Sequence, residues 1–139
     1  MSILGTKLSR RCMARTGFAY LFAALLVALF GAVYERFSHG VYSYFMLYAF
    51  VIPLGGGALP FFALAFSERL PLPRATVYRL YHSGIAALTV GCCFAGALEI
   101  YGTTNRRIAV YWIVGFGFLA CAIALYLASC LRVFARGEK

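Results

Sequence analysis

The stretch YERFSHGVYSYF, residues 34–45, gathers Glu35, Arg36 and His39 between two long runs that carry no charged side chain. Thr16 to Tyr34 precedes it and Tyr42 to Ser67 follows; two further charge-free runs, Leu80 to Leu98 and Ile108 to Leu131, come later. A helix rising about 1.5 Å per residue needs only about 20 residues to cross a hydrocarbon core of roughly 30 Å, so each run is a candidate span. Inside lipid every backbone N–H and C=O must be satisfied by the chain itself, which leaves helices or a closed barrel. None of the runs alternates apolar and polar residues with period two, so they read as helices. Residues 34–45 then form the outer turn of a helical hairpin, with aromatic residues at the interface and charges held out of the hydrocarbon.

Composition agrees with lipid as the solvent: 63% of the residues are hydrophobic, 12% are charged, and the mean hydropathy is +0.84, far from the soluble average. The connections are short, an outer turn near 35–41, an inner loop near 68–79 and a second outer turn near 99–107. Short loops make sequence neighbours antiparallel neighbours. The expected fold is all-α: one integral membrane domain over residues 1–139, an up-down-up-down bundle of four transmembrane helices near 16–34, 42–67, 80–98 and 108–131.

The formal net charge is +9, and its distribution sets the orientation. Lys7, Arg10, Arg11, Arg15, Arg69, Arg74, Arg79, Arg132, Arg136 and Lys139 flank the spans on one side, against Arg36, Arg106 and Arg107 on the other. The positive-inside rule places both termini in the cytoplasm. Basic residues so arranged meet anionic lipid head groups, and nucleic acid is not expected as a partner. Phe30 interrupts the small-x-small cleavage pattern before Val33, so the first run is read as a retained span.

Several enzyme classes lack their working parts. There is no HExxH, no GxSxG, no P-loop and no aspartate in the chain, and no CxxC for thiol–disulfide exchange. Cys92, Cys93, Cys121 and Cys130 fall in spans and Cys12 before the first, so no disulfide framework is expected. His39 and His82 belong near opposite faces of the membrane and are not a pair for one haem, which would need both at one depth.

The polar residues that remain collect at the outer face. Glu35, His39, Tyr44, Glu99, Tyr101 and Asn105 form a candidate site for a proton or cation, in which two carboxylates near a low-dielectric boundary share a proton or recruit an ion. The alternative is that the carboxylates pair with neighbouring arginines while the tyrosines form an aromatic belt; no particular metal is indicated. In the second span, Pro53, Gly55, Gly56, Gly57 and Pro60 predict a broken helix, used either for packing or to expose carbonyls. Gly84, Ala87, Gly91 and Ala95 put small residues on one face of the third span, a helix-packing stripe within the bundle or between copies. Arg79 and His82, at the inner start of that span, are candidate head-group contacts. Ala23, Val27, Gly31 and Glu35 recur 64 positions later as Ala87, Gly91, Ala95 and Glu99, a short match that suggests two parallel hairpin repeats.

At FSHGVYSYFM, YHSGIA and LEIYGTTN the chain resembles an uncharacterised group of small bacterial four-span membrane proteins. The resemblance implies a bacterial cytoplasmic membrane and carries no activity. The expectation for function is a non-enzymatic membrane protein acting as a homo-oligomer or as an accessory subunit of a larger membrane complex. Alternatives are a transporter or channel for a proton, cation or small solute working through Glu35 and Glu99, and a redox subunit associated with haem or quinone. No cofactor is expected for the first two.

Overall fold

A computed structural model describes residues 9–137, so Lys7 and Lys139 lie outside the described residues, as does the side chain of Arg136. The first and third charge-free runs lie within longer helices, the second is divided among three helical pieces, and the fourth begins in a short 3₁₀ turn and continues in a long helix. Helix α1 spans Arg10–Phe37; the second span comprises α2 (Tyr44–Tyr48), a π-helix (Ile52–Ala58) and α3 (Leu59–Phe66); α4 spans Ala75–Ile100; and a 3₁₀ turn (Arg106–Ile108) leads into α5 (Ala109–Gly137). Helices α1, α4 and α5 extend past their charge-free runs to include flanking charged residues, so absence of charge marks only their apolar middle. Arg10–Phe37, Tyr44–Phe66, Ala75–Ile100 and Arg106–Val133 are each long and apolar enough to cross a membrane.

Local chemistry explains most of the boundaries. Ser9 caps α1 by accepting from Cys12 N–H, Ser43 caps α2 by accepting from Met46 N–H, and Asn105 caps the 3₁₀ turn by accepting from Arg107 N–H, each satisfying a donor that the first helical turn cannot. Helix α1 ends before His39 and Gly40, whose φ angles are 55° and 91°. Helix α4 ends at Gly102, with φ 70°. Its N–H donates to Glu99 O while Thr103 N–H donates to Leu98 O, the paired bonds of a glycine C-cap.

The π-helix lies where two prolines and three glycines interrupt the second span. Pro53 has no N–H to offer Ala49 O, which accepts instead from Ile52 N–H at 3.3 Å; Pro60 likewise has none for Gly56 O, which accepts from the Tyr81 hydroxyl at 2.6 Å. The chain winds wide here, Leu59 N–H reaching back five residues to Leu54 O, and keeps its hydrogen bonding through this change of register and a side-chain donor.

Packing is serial, each span's main partner being its neighbour in the chain: α1 on the second span, the second span on α4, α4 on α5. At Met46 both α1 and α4 approach the main chain of the second span. A Cβ on Gly31 of α1 would stand 3.0 Å from Met46 O, and one on Gly96 of α4 would stand 2.8 Å from Met46 N. The α4–α5 seam is as close, with Gly84 and Gly115 each approaching the other's carbonyl, and Gly91 against Tyr111. Two glycines of the predicted small-residue stripe are therefore occupied within the chain.

Candidate functional site

The proximal end, where α1 begins, is the more elaborately built. On α1, Thr16 and Tyr20 are one turn apart; on α4, Tyr78, Tyr81 and His82 stand at positions i, i+3 and i+4, and so share one face. Phe61, 3% exposed, projects between them from the second span. The rings of Tyr20, Phe61 and His82 are nearly parallel, with centroids 5.1 to 5.6 Å apart. Tyr78 meets His82 edge-on at 4.1 Å.

The polar atoms are largely matched. Thr16 Oγ1 donates to Cys12 O at 2.9 Å, which leaves it to accept from the Tyr78 hydroxyl, also at 2.9 Å. Tyr20 Oη lies 2.5 Å from His82 Nδ1. A phenol donating to Nδ1 selects the imidazole tautomer with its proton on Nε2, and Nε2 is buried with no hydrogen-bond partner among the described residues. Alongside runs a cleft of about 740 Å³ between α1 and α4. Its lining passes from Arg11 and Arg15 through Thr16, Tyr20, Tyr78 and His82 to Ala23, Val27, Ile85 and Val90.

Arg10, expected to meet lipid head groups, turns inward. Its guanidinium donates to the carbonyls of Leu64, Ser67, Glu68 and Leu70, the unpaired acceptors where α3 ends. Nearby, Tyr126 of α5 donates to Pro71 O at 3.0 Å, so one loop is held by both the first and the last helix.

The distal end carries the six residues of the predicted proton or cation site. Glu99 accepts from Ser43 Oγ at 2.5 Å, joining α4 to the start of α2, and Ser43 itself is 1% exposed. Glu35 is half-buried, and its Oε1 has no hydrogen-bond partner among the described residues. His39 occupies the exposed left-handed turn. Tyr44 and Tyr101 are each 76% exposed, and Asn105 serves its own turn through Oδ1. Among the described residues no group of three or more histidine, cysteine or acidic side chains is placed to hold a metal ion.

Of the other predicted positions, Gly56 faces Ile85 and Gly57 lies against the Tyr20 ring, while Gly55 is open. Arg79 is exposed and His82 half-buried in the aromatic cluster. The YRLYH spacing already aligns Tyr78, Tyr81 and His82. The pairing with Thr16 and Tyr20 requires knowing that α1 faces α4 beside Phe61, which no local pattern contains. Comparison with protein families, curated proteins and solved structures finds no match to this chain.

Proposed function

We propose that this chain is a non-catalytic multi-pass protein of a bacterial cytoplasmic membrane, with both termini inside, that works by assembly as a homo-oligomer or as an accessory subunit. The observation that supports this reading is the one-sided use of α5. Trp112, Gly115, Leu119, Ala122 and Tyr126, alternating three and four residues apart, are its more covered positions and include the close approach to α4. A second stripe at similar spacing, Ile113, Phe116, Ile123, Leu127 and Leu131, lies on the flank and is 50 to 71% exposed. Large apolar residues repeated at this period form a seam for another helix. With Gly84 and Gly91 taken up by α5, this flank replaces the small-residue stripe as the surface for assembly.

Cysteine placed at Ile123 or Leu127, with the native cysteines changed to alanine, tests it. Oxidation in intact membranes is expected to give a cross-linked dimer or a defined adduct. Monomer alone, both there and on blue-native gels in mild detergent, removes the reading.

A further inference from the structure

We propose that the cleft between α1 and α4 is a binding site for an anionic phospholipid, with the phosphate at Arg11 and Arg15 and an acyl chain lying along the apolar floor. The site is independent of assembly through α5, which contributes nothing to its lining.

Three observations carry the assignment. The first is charge. Arg11 and Arg15 stand one turn apart on α1 and both line the cleft, and no acidic side chain does. Two guanidiniums at i and i+4 face the same way and present planar, multidentate donors suited to phosphate oxygens.

The second is the order of polarity. Along one groove the lining changes from two arginines to a band of hydroxyls and imidazole, then to mainly aliphatic side chains, with Thr89, whose hydroxyl donates to Ile85 O, among them. From Arg11 to Val27 this covers about 24 Å of helix, enough for a head group, an ester region and much of one chain. His82 lines the middle band with Thr16, Tyr20 and Tyr78, at the depth where the ester region of a phospholipid would lie. A free phosphate ion would use only the first part of this sequence, and a neutral amphiphile only the rest.

The third is size. At about 740 Å³ the cleft lies within the roughly 300–1,000 Å³ of small-molecule sites. Small side chains, Ala19, Ala23 and Ala86, line its walls, and the parallel rings of Tyr20, Phe61 and His82 hold α1 and α4 apart on a rigid support.

The test uses the full-length protein in nanodiscs of phosphatidylcholine with or without phosphatidylglycerol, followed by native mass spectrometry to count retained lipid. Wild-type protein is expected to retain phosphatidylglycerol in preference to phosphatidylcholine. The double variant R11Q/R15Q is expected to lose that preference by about tenfold, a change of about 1.4 kcal/mol, while R69Q/R79Q, which alters two exposed arginines outside the cleft, keeps it. Ala86→Phe, which fills the cleft without touching its charges, is expected to reduce retention of both lipids. Equal loss of preference in the two double variants would overturn the proposal, because general surface charge would then explain the binding. Competition by glycerol phosphate as effective as by the intact lipid would also overturn it, leaving an anion site, as would selective retention of a neutral quinone. If Ala86→Phe fails to fold, the comparison of the two double variants still decides.

Discussion

Arg10 illustrates how a residue of one apparent class does the work of another. In sequence it is one more basic residue before a span; in the structure its planar fork serves four carbonyls at the end of α3. Lysine has the charge without the fork. Arg10→Lys is therefore expected to lower stability by about 1–2 kcal/mol, read as a lower melting temperature in detergent, whereas Arg11→Lys leaves it unchanged. His39 lies in the outer turn expected from the sequence, but in a left-handed conformation. A non-glycine residue at φ 55° bears roughly 1 kcal/mol of strain, so His39→Gly is expected to hold or raise the melting temperature and His39→Val to lower it. Neither the Arg10 contacts nor the left-handed φ of His39 was legible beforehand. Arg10 finds its acceptors more than fifty residues away, on main chain that carries no sequence signature, and a left-handed histidine looks like any other in a polar turn.

At the level of the element, the second span was the most legible part of the chain and yet only half specified. Two prolines and three glycines announce missing donors and loose backbone, but not the register in which the helix closes. That register is set by neighbours: Tyr81 supplies the donor for Gly56 O, and the Tyr20 ring lies on Gly57 so closely that a Cβ would stand 2.3 Å from Cδ1. The three glycines are consequently unequal. Gly55→Ala meets nothing within 4 Å and is expected to raise stability by about 0.5–1 kcal/mol through better helix propensity. Gly57→Ala displaces Tyr20 from His82 and is expected to cost about 1–3 kcal/mol. Thermal denaturation of the two variants side by side, followed by circular dichroism, checks the contrast; equal effects would mean that the glycines serve flexibility alone.

For the whole molecule, hydrophobic run length was enough to find four long apolar helices. Run length could not reveal that packing is serial, since any arrangement of four apolar helices satisfies the same run lengths. The distinction lies in contacts such as Gly84 with Gly115, where each glycine admits the other's carbonyl. Gly84→Leu is expected to push α5 from α4 and lower stability by about 1–3 kcal/mol or more, while Gly117→Leu, facing open space, leaves the melting temperature near that of the native chain. The small-residue stripe was readable; which helix it served was not, because a stripe records how closely something approaches and not what approaches.

The Arg10 clamp also bears on the order in which the protein is made. All its acceptors lie between Leu64 and Leu70, so every partner exists once the ribosome has passed Leu70, before α4 and α5 have been synthesised. The first hairpin can therefore be latched during translation, presenting Phe61 and the glycine face of the second span as a finished surface for the later helices to dock against.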